Sequence, residues 1–388
     1  MMKITKQNLL TVAGILLVAT ATPCLTASES ISARHTQPAG KTAAPPANPR
    51  TTTKEATLGI RSVKVDGYKI IVTTSAGLKI NYQIRGVCFS SDRDGLLFFE
   101  NFDKDLELLK ALHANSIRTF RPLAAYKKGT EKVELDYEKT KSMLDKLAAA
   151  GISATIGFDS ARDIVGGNRD DATNRVFGKA LYKEYITAFA EHPAIFAWAF
   201  GNEYNYHYAD WFGGKKEKWL AILADAAKNA KTLSSRPVAV VHGELPSEKE
   251  LLEYNKIKGL DFVMLNVYRG ASFYGLYKDW ETRTKKTKTK MPLILGEFGR
   301  SSKRARELDA SALQREWIKK LWLEIESHFG GSGVSAGGYL FSLKDEAWKG
   351  KSNSGPNIGI ENSLGVFTED RQPKEAAKML MQLWKQKQ

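Results

Sequence analysis

From Ile84 onward the chain repeats one hydrophobic pattern: a short apolar run, a polar loop, an amphipathic stretch with apolar positions three or four apart, and a breaker. The apolar runs predict strands at Arg85–Phe89, Ser116–Phe120, Ser153–Phe158, Ile195–Phe200, Pro237–His242, Asp261–Tyr268, Pro292–Glu297 and Gly338–Leu343. Helical stripes fall between them: Leu106, Leu109 and Leu112; Leu144, Leu147 and Ala148 before the helix-stopping Gly151; Phe177, Leu181, Tyr185 and Phe189; Leu220, Leu223, Ala227 and Ala230. Leu313, Trp317, Leu321 and Ile325 give another, Ala377, Leu380 and Leu383 the last, and weaker ones lie around Leu251 and Leu276. Eight alternating units with no glycine-rich dinucleotide fingerprint after the first strand predict an α/β fold, a closed (β/α)8 TIM barrel over residues 84–388. Upstream, residues 59–83 alternate (Val63, Val65, Ile70, Val72) around Gly77 and read as a short N-terminal β-hairpin, so that one domain runs over 57–388.

The start of the chain reads differently. Residues 1–27 carry Lys3 and Lys6 ahead of an apolar Leu9–Thr20 stretch closed by small residues, the pattern of an export signal. That stretch is shorter than the roughly 20 residues that span a bilayer, so no membrane span is expected once the signal is cleaved, and an uncleaved signal anchor is the alternative. Residues 28–56, rich in Ala, Pro, Ser and Thr, read as a disordered linker. The expected location is therefore periplasmic or extracellular. Of two cysteines, Cys24 falls in the signal and Cys88 in the body, which leaves no internal disulfide. A net charge of +15 invites anionic partners, but the basic residues are scattered and no nucleic-acid module is present. The densest run, Arg283–Lys290, is read as a solvated loop before the seventh strand, away from the barrel mouth and suited at most to weak electrostatic association with an anionic envelope surface.

In such barrels chemistry sits at the C-terminal strand ends. The fourth strand runs into Gly201-Asn202-Glu203 and the seventh into Gly296-Glu297-Phe298-Gly299. Two carboxylates opposed across a glycosidic bond are what retaining hydrolysis requires, one donating a proton to the leaving oxygen and the other attacking the anomeric carbon. Six histidines without a His-x-His or His-Glu-x-x-His pairing point to no zinc site, and no cofactor is called for.

These motifs resemble clan A retaining glycoside hydrolases, most of all the TIM-barrel catalytic domain of glycoside hydrolase family 2, from about Gly86 to the end. The resemblance implies double displacement on a β-linked glycan, with Glu203 as general acid/base and Glu297 as nucleophile. It implies Arg118 near the nucleophile, Asn202 on the sugar 2-hydroxyl, Tyr268 orienting the nucleophile and Trp348 as a stacking platform. Leu364-Gly365-Val366-Phe367 and Arg371-Gln372-Pro373-Lys374 resemble the family's closing segment. Asp159, His242 and Glu244, at strand ends, are candidates to line the sugar subsites, and Tyr204, Tyr206, Tyr208 and Trp211 read as an aromatic rim for several units of a neutral oligosaccharide or polysaccharide. The two β-sandwich domains that usually precede this barrel have no counterpart here, which leaves single-domain relatives, β-glucanases and glucanosyltransferases, in view. The alternatives are thus a transglycosidase of the same clan and a non-catalytic glycan-binding barrel of the cell envelope.

Overall fold

Two kinds of strand stand out by burial. The first alternates, as in β1 (Ile60–Asp66), and pairs antiparallel with β2 (Lys69–Thr74), which pairs in turn with β3 (Lys79–Asn81). The second is buried on both faces, as a strand wrapped by helices must be. These are β4 (Ile84–Cys88), β5 (Ser116–Arg118), β8 (Ser153–Phe158), β9 (Ile195–Phe200), β10 (Val238–Gly243), β11 (Phe262–Asn266), β12 (Leu293–Phe298) and β13 (Ser335–Leu340). They close into a parallel barrel in the order β10-β11-β12-β13-β4-β5-β8-β9. A two-stranded insertion, β6 (Tyr126–Lys127) with β7 (Glu134–Leu135), was not legible in the pattern. The computed structural model describes residues 59–90, 98–127, 134–159, 181–303, 309–346, 349 and 360–385. The expected signal and linker, Phe177 and Trp348 lie outside them.

The helices are α1 (Phe98–Ala111), α2 (Tyr137–Ala149), α3 (Leu181–Phe189), α4 (Tyr208–Phe212), α5 (Lys216–Leu233), α6 (Glu248–Asn255), α7 (Leu276–Thr287), α8 (Ala310–Ser327) and α9 (Glu375–Lys385). Local chemistry starts several of them. Asp136 accepts from Lys139 N ahead of α2, Asp309 from Ala312 N ahead of α8, and Ser247 forms a reciprocal capping box with Glu250 at α6. Among the described residues no helix is long and apolar enough to cross a membrane.

Two expectations need correction, and a third is extended. The Arg283–Lys290 run is not a loop: Arg283 to Thr287 form the last turns of α7, and only Lys288 to Lys290 continue toward β12. The hairpin over 59–83 gains a third strand, β3. The last barrel strand begins at Ser335, ahead of the apolar run that marked it. The reason is steric, because a Cβ on Gly337 would sit 2.2 Å from Ile84 O and one on Gly338 2.6 Å from Leu295 Cβ. Small residues let β13 press against its neighbours, and they carry no hydrophobic signal.

Inside the barrel, Tyr339 crosses beneath the mouth in space left by Gly86, whose added Cβ would meet the ring at 2.3 Å. Its hydroxyl bonds Thr155 Oγ1 at 2.7 Å and Ser116 Oγ at 3.1 Å. That fully buried layer is the floor on which the polar groups of the mouth rest.

Candidate active site

Glu297 lies near the end of β12 and is 7% exposed. A register shift at Leu265/Asn266 sets Asn266, the last residue of β11, beside it. Three donors, one from β5 and two from the end of β11, converge on its carboxylate. Arg118 Nη1 lies 3.0 Å and Asn266 Nδ2 2.7 Å from Oε1, and the Tyr268 hydroxyl donates to Oε2 at 2.9 Å. Arg118, buried on β5, also donates to Gly296 O at 2.8 Å and through Nη2 to Asn202 Oδ1 at 2.7 Å, with its guanidinium 4.6 Å from the Phe120 ring centre. Burying a guanidinium is tolerable only when donors are met, and here a carboxylate, a carbonyl and amide oxygens take up its two terminal nitrogens.

Tyr268 combines two environments. Its hydroxyl end is buried against Glu297 and its pKa is driven well above the ordinary value, by burial first and the Glu297 charge next, while 47% of the residue remains open to solvent.

Glu203 follows β9 in a left-handed conformation (φ 55°), tied by its N–H to Val241 O at 3.1 Å. Such a backbone costs a non-glycine residue about 1 kcal/mol or more and recurs where a side chain must be aimed. Its surroundings differ from those of Glu297. Burial, then the facing Glu297 charge, pushes its carboxyl up to about 7, against opposing contributions from an Asn266 hydrogen bond and Arg118. Asp159 lies close enough for its charge to act on both Glu203 and Arg118.

Six expected residues thus meet at the mouth: Glu203, Glu297, Asn202, Arg118, Tyr268 and Asp159. Two others do not. Tyr204 is only 2% exposed; it packs among Trp211, Phe212 and Trp219 and donates its hydroxyl to Asp159 O, so it supports the Glu203 loop from below. His242 is 3% exposed and points out of the barrel, Nδ1 on Glu244 O at 3.0 Å, Nε2 3.5 Å from Glu250, ring edge-on to Tyr254. Strand alternation explains it, since Val241 faces inward and its neighbour must face α6. Tyr208 turns to Tyr254 in the same way. Glu244 stays at the rim, paired with Arg269.

Asn266 is the residue that motif reading missed. It donates to Asn202 Oδ1 at 3.0 Å as well as to Glu297, and accepts from Arg118 at 3.4 Å, which joins the two strand-end motifs into one network. A signal existed: it lies two positions before Tyr268, hence on the same side of an extended strand. Among the described residues no group of three His, Cys, Asp or Glu is placed to hold a metal.

Comparison with known proteins follows the same lines. Residues 89–388 match the model of the glycosyl hydrolases family 2, TIM barrel domain. A curated β-glucuronidase of Paenibacillus borealis is 24% identical over 341 residues, covering 84% of this chain and 52% of the relative. Among solved structures, Faecalibacterium prausnitzii β-glucuronidase superposes with a TM-score of 0.59 at 19% identity, over 85% of this chain and 52% of its own. A β-D-glucuronidase of Dictyoglomus thermophilum gives 0.57 at 22%, over 84% and 54%. A family 2 β-galacturonidase of Eisenbergiella tayi bound to glycerol gives 0.56 at 19%, over 85% and 54%. At these identities the structural likeness is one of fold, and the chain spans about half the length of these relatives.

Proposed function

The chain belongs to glycosyl hydrolase family 2 through its TIM-barrel domain, and from that premise we propose that it is a retaining β-glycoside hydrolase in which Glu203 is the general acid/base and Glu297 the nucleophile. The observation that carries the reading is the contrast between the two carboxyls. One is pushed up to about 7 and holds a proton near neutrality, while the other receives donors on both oxygens. One carboxyl kept protonated beside another aligned by donors is how one site runs acid and nucleophilic chemistry together.

In the first step Glu297 attacks the anomeric carbon as its bond to the leaving oxygen breaks, and Glu203 delivers the proton to that oxygen. In the second, Glu203 takes a proton from water, which attacks the same carbon and releases Glu297. Arg118 and Tyr268 hold the nucleophile in line. Asn202, its Oδ1 committed to Arg118 and Asn266, offers Nδ2 to a sugar hydroxyl oxygen.

The test is incubation of the protein, and separately of Glu203→Gln and Glu297→Gln, with labelled β-linked oligosaccharides of glucose, mannose and galactose, resolving products by mass. The names of the relatives add β-linked glucuronate and galacturonate to the panel. Shorter products from wild type and losses of about 10³-fold or more in both variants are expected. Longer products would assign transglycosylation instead. Binding without cleavage, or an active Glu297→Gln, would sink the two-glutamate mechanism.

A further inference from the structure

With Tyr204 and Tyr208 turned inward, the open aromatic surface keeps Tyr206 from the rim that the sequence suggested and adds Tyr274, which the sequence did not single out. Tyr206, 58% exposed, donates its N–H to Glu203 O at 2.9 Å and lays its ring against Gly243 at the end of β10, where an added Cβ would stand 2.2 Å from Cε2. The next position along the rim is Glu244, itself left-handed (φ 65°) and clasped by Arg269 from the end of β11. Arg269 reaches on to Phe273 O at 2.9 Å, pinning the loop that presents Tyr274. Tyr274 is 67% exposed, adopts a left-handed backbone (φ 45°), and its hydroxyl has no protein partner among the described residues. Its ring and that of Trp317 both approach Gly270, whose added Cβ would lie 3.8 to 4.0 Å from each.

An exposed tyrosine held in a strained backbone gains little for the fold, since its face is not buried and its hydroxyl bonds nothing. What the arrangement provides is a run of open aromatic faces flanking one ion pair. Pyranose rings present apolar C–H faces edged with hydroxyls, and suit that combination. Position decides which sugars. Tyr206 adjoins Glu203, the group that protonates the departing oxygen, so a ring resting on it is the one carrying that oxygen. Among the described residues of the opposite arc, β13-β4-β5-β8, Arg118, Phe120 and Phe341 pack on one another.

We propose that the arc from Tyr206 through the Arg269–Glu244 pair to Tyr274 is a leaving-group-side shelf for the further rings of a β-linked oligosaccharide, so that the substrate is a glycan chain and not a small aryl glycoside. This rests on the assignment of Glu203 as proton donor. Taking the sugar that wild type cleaves in the panel above, kcat/KM is measured on its β-linked disaccharide and tetrasaccharide for wild type, Tyr274→Ala and Tyr274→Trp, with melting curves to confirm folding. Wild type should favour the tetrasaccharide by about tenfold or more; Tyr274→Ala should cut that ratio about fivefold to tenfold, mainly through KM, and Tyr274→Trp should keep it. A wild-type ratio near one, or a ratio unchanged in a folded Tyr274→Ala protein, overturns the shelf while leaving the two-glutamate reading intact. Failure of wild type on every sugar overturns that reading and the shelf with it.

Discussion

Asn266 illustrates how much of the mouth depends on one neutral side chain. Its amide touches Glu297 and Asn202 and contributes the hydrogen bond that opposes the rise of the Glu203 pKa. Asn266→Ala is therefore expected to move the alkaline limb of the kcat/KM pH profile upward, since Glu203 loses a donor to its charged form, and to lower kcat/KM by about 10²-fold as Glu297 and Asn202 lose their alignment. A purely structural role would lower activity without moving the limb, so the profile separates the two. Tyr204 and His242 carry the opposite lesson. Residue type and strand-end position marked them for the site, but a side chain's direction is set by the turn and the pleat. In the short turn Tyr204–Tyr206 the first ring goes down into Trp219 and the last stays out.

The β1–β3 sheet bears on the barrel away from its mouth. Ile60 N donates to Pro193 O at 2.8 Å, in the connection that enters β9, and buried Arg236 donates to Ile60 O at 2.9 Å and to Glu191 O at 3.2 Å. Ile60, Ile70 and Val72 are buried, and at roughly 1.5 to 3 kcal/mol each their burial stabilises by about 5 kcal/mol or more. A chain lacking residues 59–81 should therefore unfold at a markedly lower urea concentration; an unchanged midpoint would show that the sheet is only an appendage. The helices were readable where an apolar stripe marks the buried face, as at α2 and α5, whereas α6 gave only a weaker one. The α7 helix was only weakly readable, because Thr and Lys fill its last turns and its buried face includes Thr284 and Thr287. β-Branched polar residues there bond back to the helix carbonyls and suppress the apolar period.

Stability of the whole molecule is coupled to the site. A carboxyl whose folded pKa is raised favours the folded state only while protonated; that contribution is complete below the unfolded value near 4.5 and is lost as pH climbs through about 7. Glu203→Gln removes this dependence. At pH 8 the variant should melt at a higher temperature than wild type, a gain of no more than about 3 kcal/mol and less after solvent screening at the open mouth, and the difference should fade toward acid pH. Equal melting temperatures at pH 8 would mean that the mouth does not strain the fold. Glu250 works in the other direction, held down to about 2 by hydrogen bonds from His242 and Ser247, so that its contribution is present at neutral pH and lost in acid.

By itself the sequence determined the repeating strand and helix order, hence the barrel, and the two glutamates with Asn202, Arg118, Tyr268 and Asp159 at strand ends. Periodicity and strand-end position are local properties, and they survive folding unchanged. Only the tertiary structure decided which residues point together. The register shift that brings Asn266 to Glu297, the pleat that turns His242 to α6, the glycines that draw in β13, and the burial that raises the Glu203 pKa all arise from contacts between distant segments. No local pattern encodes a partner 31 or 148 residues away, the separations that tie Asn266 to Glu297 and to Arg118.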